Sequence, residues 1–254
     1  MFSLQNSTGY RVFLVLLCVL LFATAASAQG KTKPAKNTTA AWDTESAYYK
    51  AMAKEIVKLD AMIADAELRR VISALERIAR VEVTEALPQY YLAFSYATIA
   101  FREKDLDEID RWCDRSENAL AKAEEIGGLA EEELLVVRAL VQYGRLQVDY
   151  MGRGLESSMQ AEKYLRKAYE INPKNPRVLS MLGQHYLKIP AQIGGGREKC
   201  CQYAAPAAEA YAAERATFPA DIYPIVPHWG ELDWLEIAAK YCFYNPVTAT
   251  NKQP

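Results

Sequence analysis

Histidine and cysteine, the side chains most given to acid–base, nucleophilic and metal chemistry near neutral pH, are sparse in this chain, and their spacing does not suit it. His185 and His228 are its two histidines. They lie far apart, and neither belongs to a pattern with Ser or Cys that would make a nucleophile and its base. Both read as core or capping residues. Of five cysteines, Cys18 lies in an apolar leader and leaves Cys113, Cys200, Cys201 and Cys242, with no CxxC or His-rich metal spacing. Cys200 and Cys201 would point about 100° apart on a helix, so they do not pair with each other. The four read as small buried hydrophobes in helix seams, a Cys201–Cys242 bridge being the alternative in an oxidising compartment. No catalytic residue, metal site or cofactor is expected.

Binding is the more promising chemistry. Gly152, Gly154 and the run Gly194-Gly195-Gly196 free the backbone for unusual dihedrals or close ligand approach. Tyr150, Arg153 and Arg197 flank them and bring an aromatic ring and positive charge to an acidic protein. The triple glycine is not a phosphate loop, because no strand precedes it and no Lys-Ser/Thr follows. Gln184 and Lys188 share a helix face that would line a groove, while Tyr186 turns into the seam. Tyr150, Arg153, Gln184, Lys188, Gly194, Gly195, Gly196 and Arg197 are therefore the candidate binding residues. Glu131-Glu132-Glu133 reads as a solvated helix start, and Trp229 and Trp234 as packing residues of a terminal helix.

These positions need a scaffold, and the chain supplies helices. Residues 1–28 form a signal-peptide pattern: Arg11, an apolar run from Val12 to Ala23, then Ala26-Ser27-Ala28 before cleavage at Gln29. That run is shorter than the roughly 20 residues that span a bilayer. The expected location is the periplasm or the medium, without membrane insertion after cleavage. The polar residues 29–41 read as a disordered leader and residues 244–254 as a flexible tail. The whole chain carries a net charge of −2, and loss of Arg11 makes the mature form more acidic. That excludes a basic nucleic-acid face.

Between residues 42 and 243 the apolar residues recur at three- and four-residue steps. Tyr48, Met52, Ile56 and Leu59 mark one helix, and Leu68, Ile72, Leu75, Ile78 and Ala79 a second. Pro88 opens a third that is apolar nearly all round, and a fourth runs from Asp107 to Ile126 before Gly127-Gly128. The fifth starts at Glu131. Ser157 with Gln160 gives a capping box for the sixth, which stops before Asn172-Pro173. Asn175 caps the seventh with Pro176 at its first position. Arg197–Thr217 is an Ala-rich helix that Pro206 must bend or interrupt, and a last helix spans Gly230 to Cys242.

Ala161, Leu165, Ala168 and Pro173, followed by Leu179, Leu182, Gly183 and Tyr186, resemble the tetratricopeptide repeat at nearly every defining position. Ala161, Ala168 and Gly183 are small where adjacent helices would approach. Ser116, Leu120, Ala123 and Gly128 repeat the pattern upstream, at a longer period than the usual 34 residues. The stretch Pro88–Cys242 also resembles a group of exported bacterial proteins with divergent repeats. The likeness rests on QYGRLQVDYMGRG, NPKNPRVLSMLGQ, the GGG turn and Pro227-His228-Trp229-Gly230. A more distant likeness is to the helical T component of tripartite periplasmic transporters.

The resemblance implies an all-α, right-handed α-α superhelix. It would hold about three degenerate TPR-like helix pairs with lengthened internal turns, an N-terminal helix pair and a C-terminal capping helix. In a solenoid, equivalent turns share a rim, so Arg102–Asp107, Tyr150–Glu156 and Pro190–Arg197 should be neighbours. The functional expectation is a non-enzymatic interaction module holding a protein or peptide. The alternative is a periplasmic small-molecule-binding or transporter-associated component.

Overall fold

The computed structural model describes residues 43–60 and 64–243. The signal-peptide and leader expectations, and that of a flexible tail, fall outside them. The described residues are all α, with no strand among them. The helices are α1 (Ala47–Asp60), α2 (Asp65–Val81), α3 (Ala86–Arg102), α4 (Leu106–Ile126), α5 (Glu131–Val148), α6 (Gly154–Ile171) and α7 (Pro176–Lys188). A 3-10 turn, Ala191–Ile193, leads to α8 (Arg197–Cys201), α9 (Ala204–Thr217) and α10 (Glu231–Cys242).

Consecutive helices from α1 to α8 pack against one another, and α1, α3, α5 and α7 also touch one another in series, forming an inner row. Their composition explains this position. In α3 Tyr90, Tyr91, Ala93, Ala97 and Ala100 are all buried, whereas α2 and α4 bury one stripe each. A helix apolar all round must have neighbours on several sides. The small residues lie in the seams: Ala161 and Ala168 are fully buried, and Gly183 sits directly beneath the Trp234 indole of α10.

Several local expectations meet their geometry here. The Asn175 side chain accepts the Arg177 and Val178 backbone N–H groups, with Pro176 opening α7. The lengthened turns expected inside the repeat units are a correction at two of the three places: only residues 103–105 separate α3 from α4 and 149–153 separate α5 from α6, the extra residues going into longer helices. Residues 189–196 form the longer connection.

Others are corrected. α6 begins at Gly154, and Ser157 lies buried inside it instead of capping it, because the Arg153–Gly154 turn already starts the ladder three residues earlier. The Arg197–Thr217 segment is interrupted, as Pro206 requires: it is two helices broken at Gln202–Tyr203, which leaves Pro206 in the first turn of α9, where its missing N–H costs nothing. Cys201 and Cys242 are bridged, tying α8 to the end of α10, while Cys113 and Cys200 remain free and buried. The two halves of the bridge are 41 residues apart in sequence, so helical position alone did not bring them together.

Candidate functional site

A cavity of about 710 Å³ opens against the inner row of helices, within the range of roughly 300–1,000 Å³ typical of small-molecule sites. Its wall comes from five sources, one of them Arg215 of α9. The inner helices give Phe94, Ala97, Thr98 and Phe101 of α3, Leu140 and Tyr143 of α5, and Ser180, Met181, Gln184 and Lys188 of α7. Leu59 and Leu68 add apolar surface from α1 and α2. The irregular strap between α9 and α10 contributes Tyr223, His228, Trp229 and Gly230, and α10 itself Leu232, Asp233, Glu236 and Ile237.

The strap is short of secondary structure but not of anchors. Tyr49 of α1 donates to the Asp221 carbonyl, Tyr91 of α3 to Val226 O at 2.7 Å, and Tyr211 of α9 to Trp229 O at 3.3 Å. The His228 imidazole donates through Nδ1 to Val226 O at 2.6 Å and lies 4.7 Å from the Tyr223 ring. The Trp229 ring stacks on Phe94 at 4.4 Å between centroids. These two rings make a continuous aromatic slab in the cavity wall.

Behind that slab lies a buried polar cluster. Arg177, with 3% of its surface exposed, donates to Glu133 through Nε (2.8 Å) and Nη2 (2.7 Å) and to Glu214 through Nη1 (2.9 Å) and Nη2 (2.6 Å). Desolvation opposes its charge, but the two carboxylates prevail and hold its pKa well above the ordinary value. Burial raises the Glu214 pKa, with Arg177 pulling the other way. Asn175 also donates to Glu133, and Asn172 to Glu132. Glu132 and Glu133 are therefore buried, not solvated as their place at a helix start suggested; only Glu131 is exposed. Their partners lie some 40 residues further along the chain, out of reach of local pattern.

The charges facing the cavity are arranged unevenly. The Lys188 ammonium sits 5.3 Å from the Phe101 ring centroid and 5.0 Å from that of Tyr143, a cation–π placement. Among the described residues no carboxylate pairs with it, and desolvation lowers its pKa. On the acidic side stand Glu231, Asp233 and Glu236. Arg215 pairs with Glu231, and burial raises the Asp233 pKa, with Arg102 opposing. Tyr143 donates to or accepts from buried His185 Nδ1 at 2.8 Å, and His185 Nε2 lies 3.7 Å from Glu162.

Of the eight candidate binding residues read from the sequence, Gln184 and Lys188 line this cavity and the other six lie elsewhere. Tyr150 is exposed, and Arg153 clasps Asp110 at 2.8 and 3.0 Å beside Arg145, which joins the turn after α5 to α4. Arg197 lies over the Phe243 ring at 4.6 Å. Gly194 and Gly196 take φ of +92° and +91°, and a Cβ on Gly195 would strike Ile189; the turn is closed by Gly196 N–H to Tyr186 O at 2.8 Å. Its glycines thus answer to the turn's own geometry. Trp229, Phe94 and Tyr143 are the wall residues that sequence reasoning missed. Pro227-His228-Trp229-Gly230 was the available signal, for it marks an irregular strap carrying an aromatic side chain.

No group of three or more His, Cys, Asp or Glu among the described residues is placed to hold a bare metal ion. His228, Tyr143, Tyr223 and Met181 are the wall side chains that carry an imidazole, phenol or thioether donor atom.

No model of a known protein family matches the chain, and no curated protein sequence does. A solved structure does: the HusA haemophore from Porphyromonas gingivalis, with 29% sequence identity and a TM-score of 0.67, covering 82% of this chain and 96% of that one. The helical architecture of the present chain is therefore similar to that of a haemophore over most of its length.

Proposed function

We propose that the chain is a haem-binding carrier that takes the porphyrin into the cavity between the inner helices and the strap. The observation that carries this reading is Lys188: an ammonium held over two aromatic rings, without a carboxylate partner among the described residues, at a cavity walled by Phe94, Phe101, Tyr143, Met181 and Trp229. A ligand that suits it is flat, largely apolar and carries a carboxylate, and haem is all three. The macrocycle would lie against the aromatic slab, and Lys188 and Gln184 would meet a propionate. The likeness to a haemophore supports the same reading. It favours the small-molecule alternative over a protein or peptide ligand, and binding over catalysis. The tetratricopeptide character of the helix pairs and the export of the chain belong to this proposal too. Residues 1–28 would be removed and the mature chain would act outside the inner membrane.

Titration with ferric haem tests it. A saturable Soret shift with one haem per chain is expected, and Lys188→Ala should weaken binding about tenfold or more, the worth of roughly 1.5–3 kcal/mol for a bond to a charged group. No saturable shift in wild type, or equal affinity in Lys188→Ala, would refute it. Intact mass of the envelope-fraction protein should place its N-terminus at Gln29.

A further inference from the structure

The aromatic slab needs something to fix it in its own plane. Stacked rings at 4.4 Å resist separation but slide past one another at little cost, so the Phe94 contact alone does not set where the Trp229 edge meets the cavity. The indole N–H does. It donates to the Tyr90 hydroxyl at 2.8 Å. That hydroxyl has one proton to give and gives it to Glu133 Oε2 at 2.9 Å. Glu133 faces the Arg177 guanidinium and offers only lone pairs to Tyr90. The order of donors is thereby forced: Trp229 to Tyr90, and Tyr90 to Glu133. Each link polarises the next in a dry interior. Burial first, and the Glu133 charge second, keep Tyr90 protonated far above neutral pH.

We infer that Tyr90 is a positioning residue for the ligand cavity, fixing the Trp229 indole through a hydroxyl whose direction Glu133 dictates. This rests on the haem-binding reading of the same cavity. Tyr90 is fully buried and takes no part in the cavity wall, so its effect on a ligand must pass through Trp229.

A double-mutant cycle reads that path. Tyr90→Phe keeps the ring and removes the hydroxyl, while Trp229→Phe keeps a stacking ring and removes the N–H. Tyr90→Phe should weaken ferric haem about tenfold in the wild-type background, and by less than about twofold in the Trp229→Phe background. An equal loss in both backgrounds, or none in either, overturns the inference. A second measurement needs no ligand. The Trp229 indole N–H resonance of ¹⁵N-labelled protein should move upfield and exchange faster with solvent in Tyr90→Phe. If it is unchanged, Tyr90 does not hold the indole. If it moves while haem binds none of the proteins, the haem reading falls and the positioning stands.

Discussion

Reduction of the Cys201–Cys242 bridge should cost this protein about 4 kcal/mol. The bridge closes a segment of 41 residues. The chain-entropy relation for a loop of that length removes about 13 cal/mol/K from the unfolded ensemble, or about 4 kcal/mol at 25 °C. For a domain of this size each kcal/mol moves Tm by roughly 2–4 °C, which gives a drop of about 8–16 °C. The natural comparison is wild type against a Cys201→Ser/Cys242→Ser double variant. Calorimetry or circular dichroism would follow both melts, with wild type also melted under reductant. Thiol counting sets the reference: the mature oxidised protein should show Cys113 and Cys200 alone after denaturation. Cys200 adjoins the bridge, but burial raises its thiol pKa and keeps it from exchanging with its neighbour. The bridge also ends the helix that lines the cavity with Leu232, Asp233, Glu236 and Ile237, so the reduced protein should bind ligand more weakly before it melts. A Tm lowered by less than about 3 °C would refute the entropic reasoning. Four reactive thiols would refute the bridge itself.

Gly183→Ala should destabilise by up to about 2 kcal/mol, because the new methyl falls 2.3 Å from the Trp234 ring; overpacking of roughly 1–3 kcal/mol is set against the helix preference of about 1 kcal/mol for Ala, and urea unfolding would read the balance. Arg177→Met should cost about 3–5 kcal/mol by leaving Glu133 and Glu214 buried without their cation, whereas Arg177→Met combined with Glu133→Leu and Glu214→Leu should recover much of the loss in the same assay. Desolvation, partly offset by Glu162, lowers the His185 pKa below its unfolded value. The unfolded chain therefore takes up the proton first as pH falls, so stability should decline from neutral pH through about 6.5 and below; His185→Gln should flatten that slope in denaturation curves between pH 7.5 and 5. Ala168→Phe overfills the buried seam of α6 and should lower Tm while the Soret response, measured below the melt, keeps its wild-type midpoint.

The helices were readable because their signals are local. Asn175-Pro176 carries its own cap, Ala161 and Ala168 betray a close seam by their size, and the face shared by Gln184 and Lys188 follows from helical spacing alone. What escaped was everything that depends on distant partners. Glu133 looks like an ordinary acidic first-turn residue until Arg177, 44 positions later, folds against it. Cys201 and Cys242 meet only because α8 and α10 pack together. Trp229 becomes part of a cavity wall because Tyr90, 139 residues earlier, receives its N–H. The glycine turn drew attention by composition, but composition reports backbone freedom and not what faces the turn.

The strap between α9 and α10 is held by its backbone. Tyr49, Tyr91 and Tyr211 all bond to main-chain carbonyls, at Asp221, Val226 and Trp229. A carbonyl is present whatever side chain its residue carries. The course of the strap is consequently decoupled from much of its composition, and Tyr223 can be exchanged for other side chains while the path past the cavity persists. For anyone wishing to retune which ligand this scaffold accepts, strap positions such as Tyr223 are the interchangeable part, and Trp229 and the tyrosines are the fittings that should be left alone.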